Sequence, residues 1–369
     1  MKKIILSIIF TVLCICLVPV PGFVCTTFML DNNGQPVYGK NADWMSPIPS
    51  YVIVNKRGVT KTSHPLAQEP AAKQISWTSK YGSVTFNLFA REWPSEGINE
   101  AGLFISSQYG EGSKKDEYLE PDSRTPMGDM PWVQYQLDNF STVAEVIASF
   151  QSIRIAKPAE NPKTTGALHW FVSDSKGKCA SIEFLQGKMV CHTGWTMPVK
   201  VLADRTYDHS IAYFWQNRFL YFFSLFTPID GLRPGLYRFA VAGDRVKKYR
   251  PKRSGPVVDY AFQILQDVEM NPVHHTALWS AVYDSANKQI YFRSWNNDKI
   301  RWLNLSSLDF SCTTPVKVLD ISADLSGDVS NSLVDYTKEI DFEMLNSWGL
   351  SQAVIDYISS YPDTTVCTE

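Results

Sequence analysis

Charge of one sign is what this chain most clearly lacks. Its 35 lysines and arginines stand against 37 aspartates and glutamates, a formal net charge of −2 over 369 residues. A nucleic-acid binder normally carries a basic patch or a strongly basic balance, so the composition argues against that class. A fixed-period repeat, a low-complexity tract and a Pro/Gly/Ser linker are also missing, which sets aside solenoids, disordered scaffolds and a string of separate domains. Histidine is scarce, with six residues in all. The one suggestive pair, His274-His275, has no Cys, Asp or Glu partner at ligand spacing. It is expected in a loop, and no metal or cofactor is expected. Beyond residue 24 no apolar run approaches the roughly 20 residues needed to cross a bilayer, so no stable membrane anchor is expected in the mature chain.

The first 24 residues differ from the rest. Lys2 and Lys3 give a positive start, residues 4–17 are almost continuously apolar, and Pro19, Pro21 and Gly22 then break any helix. That order is the order of a secretory signal. An uncleaved anchor is the alternative, but the stretch is short, contains Ser7 and Thr11, and ends in prolines. Val24 is larger than signal peptidase prefers at a cut, so cleavage upstream followed by trimming is also open. The expectation is an exported protein, periplasmic or secreted, with residues 25–369 as one domain.

Removing that segment takes Cys14 and Cys16 with it and leaves Cys25, Cys179, Cys191, Cys312 and Cys367. An odd number in an exported protein leaves at least one thiol free. Residues 179–184 and 189–192 read as two strands joined at Gln186-Gly187, which would put Cys179 opposite Cys191. That pair is the favoured disulfide, with two small core residues as the alternative and Cys312–Cys367 less favoured. Cys25 is the leftover in each case.

Polar and apolar residues alternate from Cys25 to Leu30, Asp31-Asn32-Asn33-Gly34 signals a turn, and residues 36–39 begin a returning strand, so a hairpin opens the mature chain. Strands are predicted at 52–56, 75–77, 83–88, 103–108, 168–173, 180–185, 188–192, 276–283 and 289–295. Helical spacing occupies 131–139 and 256–268, and Ser141-Thr142 caps a helix running through 146–150. Residues 211–226 form an aromatic-rich segment expected in the core or at a subunit contact. The tail from Ser311 is acidic and helical in part. The class is α+β, rich in antiparallel hairpins.

An unperturbed thiol titrates at about pH 8.5 and an α-amino group at about 7.7–8.0. Cys25 at a new N-terminus would therefore carry nucleophile and base on one residue, with no histidine required. The strand Tyr38-Gly39-Lys40-Asn41-Ala42-Asp43-Trp44 would return beside it, where Asp43 could hold the ammonium and Lys40 could favour the thiolate.

Cys25-Thr-Thr-Phe followed by Gly39-Lys-Asn-Ala-Asp-Trp44 resembles the choloylglycine hydrolase family, which includes bile salt hydrolases and penicillin V acylases. Similar blocks follow in order: Gly97-Ile-Asn99-Glu-Ala-Gly-Leu103, Leu168-His169 with Asp174 and Ile182-Glu183-Phe, Val201-Leu-Ala-Asp204-Arg-Thr-Tyr207, Arg238-Phe239, Trp279-Ser-Ala-Val-Tyr283 and Ile290-Tyr-Phe-Arg293. The resemblance implies a four-layer αββα sandwich of the N-terminal-nucleophile hydrolase type. It implies Cys25 as nucleophile and, through its amine, base, with Asp43 orienting the amine. The family's arginine falls on Lys40, one oxyanion donor on the backbone N–H of Tyr109, the second on Asp204, and a late pocket arginine on Arg238.

Two of these positions depart from the family. Lys40 keeps the charge but not the planar fork of arginine. Asp204 stands where an asparagine side chain should donate, and losing one oxyanion donor typically costs about 10²–10³ in rate. A protonated Asp204 could donate, and a one-residue slip would present Arg205 instead. The expected activity is hydrolysis of a linear non-peptide amide through an acyl-thioester on Cys25. The substrate is a small molecule with a bulky apolar acyl group, and bile salts, penicillin V and acyl-homoserine lactones all remain open. A homo-oligomer is not excluded. The alternatives are a non-catalytic ligand-binding relative, and a cysteine protease with His169 as base. The sequence around Cys25 lacks the papain-type signature, and His169 sits in a strand where a core role is expected.

Overall fold

The computed structural model describes residues 25–44, 46–63, 74–110, 118–156, 168–222, 234–269, 277–359 and 367. His274-His275 and residues 223–226 of the aromatic segment lie outside them. The mature chain opens as expected with a hairpin, β1 (Thr26–Asn32) and β2 (Gln35–Asp43). Asn33 and Gly34 both take positive φ, 57° and 83°, the backbone a tight hairpin turn requires. Asp31 Oδ1 accepts the Gly34 N–H at 2.6 Å. Phe28 pairs with Gly39, and a β-carbon at Gly39 would come within 2.2 Å of the Phe28 ring. Only glycine lets that ring lie across β2.

This hairpin is the centre of a seven-stranded sheet. Val201–Ala203 flanks β1, and Ala277–Asp284, Gln289–Ser294, Asn297–Asn304 and Gly327–Asp328 extend outward from β2. A nine-stranded sheet packs against it, in the order Lys188–Thr193, Cys179–Leu185, Leu168–Ser173, Phe104–Tyr109, Pro94–Asn99, Ser83–Asn87, Tyr51–Asn55, Lys317–Asp320 and Val334–Asp335. Tyr38 stacks on Phe104 at 4.5 Å, Phe104 meets Tyr283 at 4.8 Å, and Phe86 meets Trp279 at 5.8 Å across the two sheets.

Helices cover both outer faces. On the nine-stranded sheet lie α1 (Asp129–Asn139) and α2 (Val143–Ser149), with Trp132 against Trp170 at 4.7 Å. Thr142 caps α2 as predicted: its side chain accepts the Glu145 N–H, and Glu145 reaches back to the Thr142 N–H, the reciprocal pair of a capping box. On the seven-stranded sheet lie α3 (Tyr207–Phe222), α4 (Pro234–Lys248) and α5 (Val257–Asp267). The result is the four-layer αββα sandwich. Central strands are covered on both faces, so all eight residues of Ala277–Asp284 and all five of Tyr51–Asn55 are buried. Alternation therefore marks such strands poorly in the sequence.

The tail is helical in part, as expected, and carries the disulfide that was the less favoured pairing. Residues after 311 form short strands before α6 (Lys338–Ser347) and α7 (Gln352–Ser359). Cys312 is disulfide-bonded to Cys367, while Cys179 and Cys191 are free thiols like Cys25. The register explains it: Cys191 pairs with Ile182, and Ala180 already faces Thr193, so Cys179 lies three positions from the pairing a disulfide would need. Cys25 is thus one of three free cysteines among the described residues rather than a lone leftover.

The disulfide ties residues 55 positions apart. Closing a loop of that length removes about 4 kcal/mol of unfolded-state entropy by the chain-entropy model. Cys367→Ser is expected to lower unfolding stability by about 2–4 kcal/mol in urea titrations, and reductant should lower wild type toward the variant without affecting the variant itself.

Candidate active site

Cys25 stands at the head of β1, at one end of the central sheet. Thr26 pairs with Asn41 on one side and with Ala203 on the other. One step further along both ladders, Cys25 is flanked by Ala42 and Asp204. The Val201–Ala203 register shows no slip: Asp204 has no exposed surface, and Arg205 is half-buried. By this register Asp204 is the next residue along from Ala203, and its carboxylate lies against Gly235 of α4.

Strand alternation divides the remaining groups. Lys40 pairs with Thr27 and has no exposed surface; its Nζ donates to the Ser107 carbonyl at 3.0 Å across the sheet interface. Asn41, the next residue, points the other way and donates to the Leu265 carbonyl of α5 at 2.9 Å. Asp43 closes β2. Its carboxylate is bonded to Arg238 of α4, and both side chains are almost fully buried. The two strand residues that matter electrostatically are thus held from opposite layers, Lys40 by the second sheet and Asp43 by a helix. A buried pair of this kind is costly to break, about 3–5 kcal/mol when one partner is removed.

The thiol itself is half-buried. Burial raises its pKa above the ordinary value. Lys40 opposes that rise, the Asp43 carboxylate adds to it, an N–H bond from Asp43 to the sulfur lowers it, and Glu96 raises it further. The cleft in front of the sulfur is lined by Trp44, Leu88, Phe89, Tyr109, Met130 and Leu168. Tyr109 ends its strand opposite Leu168 and lies 5.9 Å from Trp44, ring to ring. Burial, first, and the neighbouring Asp129 and Cys25 push its phenol pKa up. Trp348, the C-cap of α6, stacks on Phe89 at 4.1 Å, meets Trp44 edge-on at 4.5 Å and donates to the Leu88 carbonyl at 2.7 Å. The acidic tail thereby braces the cleft-lining Trp44, Leu88 and Phe89 from behind.

Of the six residues singled out from the sequence, Cys25, Lys40, Asp43, Tyr109 and Arg238 come together at this end of the sandwich, while the Asp204 carboxylate packs on Gly235 of α4. The structure differs on one detail: the Asp43 carboxylate is engaged by Arg238 from below. Sequence reading missed Glu96, Ser107, Trp44 and Trp348. Glu96 directly precedes the Gly97–Leu103 block, but a glutamate in a strand looks solvent-facing until a second sheet covers it. Asn99 is structural, as expected: its side chain donates to the Leu137 and Phe140 carbonyls and accepts the Ala101 and Leu103 N–H groups. His169 is buried in the core, with Nδ1 3.1 Å from Glu183 Oε1. Glu183 also accepts the Tyr207 N–H at the start of α3. His169 is core and does not line the cleft at Cys25, so the structure gives no support to a Cys–His protease. Among the described residues no group of three His, Cys, Asp or Glu is placed to hold a metal, and no helix is long and apolar enough to cross a membrane.

The sandwich, with an unpaired cysteine leading its central strand, defines a hydrolase of the N-terminal-nucleophile class. A model of the linear amide C–N hydrolases of the choloylglycine hydrolase family matches residues 25–221, and the chain belongs to that family. It is an enzyme that hydrolyses linear amide C–N bonds. It is similar to the penicillin V acylase of Pectobacterium atrosepticum, at 26% identity over 321 residues, covering 78% of this chain and 82% of the relative. Among solved structures, penicillin V acylase from Agrobacterium tumefaciens superposes with a TM-score of 0.68 at 25% identity, over 85% of this chain and 98% of that one. A variant of the conjugated bile acid hydrolase of Clostridium perfringens shares the fold, with a TM-score of 0.61 at 18% identity over 82% of this chain and 99% of that one.

Asp204 is packed against the first turn of α4. A β-carbon on Gly235 would fall 1.6 Å from Asp204 Oδ1, so Gly235→Ala must displace the carboxylate or the helix. The variant is expected to lose about 1–3 kcal/mol of stability, the usual range for overpacking, measurable by chemical denaturation.

Proposed function

We propose that Cys25, exposed as the N-terminal residue when residues 1–24 are removed, is the nucleophile of an amidase acting on apolar, aromatic acyl amides. The observation that carries this reading is the meeting of Cys25, buried Lys40 and the Asp43–Arg238 pair at the mouth of one apolar cleft. The family match beginning at Cys25 and the strand beginning one residue later support processing at that point. The lysine- and apolar-rich first 24 residues support export to the periplasm or beyond.

In this mechanism the α-amino group takes the thiol proton as sulfur bonds to the acyl carbon, and the carbonyl electron pair moves to oxygen. Asp43, held by Arg238, orients the ammonium. The Tyr109 N–H carries the oxyanion, with Asp204 at the position of the family's second donor. The tetrahedral intermediate collapses with return of the proton to the leaving amine. Water, deprotonated by the same amine, then releases the acid from the thioester. Lys40 supplies positive charge in place of the family's arginine. It acts as a point charge, without paired hydrogen bonds.

The wall of Trp44, Phe89, Tyr109 and Met130 favours a flat aromatic acyl group. The similarity to two penicillin V acylases at about a quarter identity supports the same choice. Penicillin V is therefore the proposed model substrate, ahead of conjugated bile salts and acyl-homoserine lactones. Cys25→Ala is expected to lower kcat/KM for penicillin V by at least about 10³-fold, and retained activity would sink the reading. The intact mass of the exported protein should begin at Cys25.

Asp204 gives the binding-only alternative its one foothold, because an ionised carboxylate would repel the oxyanion. Asp204→Asn restores a donor at every pH and is expected to raise kcat/KM about tenfold or more. An unchanged or lower rate would show that Asp204 does not occupy the oxyanion position.

A further inference from the structure

Cys25 shares its surroundings with a carboxylate outside the family blocks. Glu96 has no exposed surface. Its Oε1 accepts Trp279 Nε1 at 3.2 Å and the Tyr283 hydroxyl at 2.8 Å. Both donors stand on the Ala277–Asp284 strand of the opposite sheet, two residues to either side of Ala281. Ala281 pairs with Lys40, and Lys40 pairs with Thr27. Thr27 Oγ1 meets Ser106 Oγ at 2.9 Å across the interface, and Ser106 pairs back with Glu96. This closed circuit of partners puts the Glu96 carboxylate over the small Ala281 side chain and beside the Lys40 stem. Among the described residues Lys40 makes one hydrogen bond, to the Ser107 carbonyl. Glu96 Oε2 accepts none among the described residues. A buried carboxyl and a buried ammonium group therefore lie together under the nucleophile.

We propose that Glu96 is a positioning residue of the reaction: its carboxylate shares the Lys40 charge with Cys25, so the cation is not committed to the sulfur before the acyl group arrives. The proposal rests on Cys25 being the nucleophile. A buried cation beside a thiol, left alone, would draw off the proton at rest, and a thiolate stabilised in that way is intrinsically less nucleophilic. It would also leave the α-amino group no proton to accept in the attack. With Glu96 present the proton stays on sulfur until the S–C bond forms and the amine takes it. Burial pushes both Cys25 and Glu96 toward their neutral forms, and Lys40 opposes it in each. The other ionisable groups around the sulfur are Asp43, with its partner Arg238, and Tyr109. None of these bonds to Glu96 among the described residues; processing adds the α-amino group.

The test is the pH dependence of iodoacetamide labelling at Cys25 in the processed full-length chain, read by peptide mass. Labelling titrates the thiol whether or not the enzyme turns over, whereas failure of Cys25 as nucleophile would appear only in the Cys25→Ala activity. Glu96→Gln keeps an oxygen for Trp279 and Tyr283 but removes the charge. It is expected to move the labelling midpoint down by on the order of one pH unit. The acidic limb of kcat/KM should move with it, and Glu96→Asp should stay near wild type. Should Glu96→Gln not fold, Tyr283→Phe removes one hydrogen bond that keeps Glu96 ionised and should shift the midpoint in the same direction by less. Glu96→Gln, or Tyr283→Phe in its place, with a labelling profile superimposable on wild type would overturn the proposal, even if stability falls.

Discussion

The pairing of β1 between β2 and Val201–Ala203 is the constraint on which the site depends. Backbone hydrogen bonds on both edges leave the first strand no freedom to slide, because a slip of one residue would turn every side chain to the opposite face. With Thr26 held between Asn41 and Ala203, Cys25 has one place to be. The tight turn at Asn33-Gly34 and the Phe28–Gly39 contact set that register locally. Two further layers then hold what the sulfur needs: the second sheet supplies the carbonyl that anchors Lys40 and much of the cleft, and a helix supplies the partner of Asp43.

The charged groups of the site are buried, and those beside Cys25 stand near partners of opposite sign. Asp43 meets Arg238, and Lys40 lies near both Cys25 and Glu96. Burial penalises each ion alone, so removing one member exposes the cost of the others. This arrangement accommodates the lysine that stands where the family has an arginine. A compact ammonium on a flexible stem can sit at the foot of the interface, where a guanidinium fork would demand more acceptors.

Stability and function meet at the tail. Trp348 closes the cleft from behind through Phe89, Trp44 and the Leu88 carbonyl, and the Cys312–Cys367 bridge pins the segment that carries it. The cleft is thus braced by a segment some 300 residues from Trp44 in the chain. Nothing in the acidic composition after Ser311 indicates that it braces the cleft.

Much of the local structure was legible because local physics decides it. The Asn33-Gly34 turn, the Thr142–Glu145 cap and the apolar face of residues 257–267 each depend on neighbours within a few residues. Cys25, Lys40 and Asp43 were readable for the same reason, since one hairpin carries all three. Glu96, the disulfide partners and the brace behind the cleft were not, because each is defined by a surface that another part of the chain supplies. Glu96 is polar in sequence and buried only because the sheets stack. Cys179 and Cys191 sit on adjacent strands, yet the register offsets them by three residues. The sequence by itself determined which residue could be nucleophile and which charges would lie beside it, through short-range spacing. Only the tertiary structure decided what those charges are balanced against, because burial between two sheets is a property of packing that no local pattern encodes.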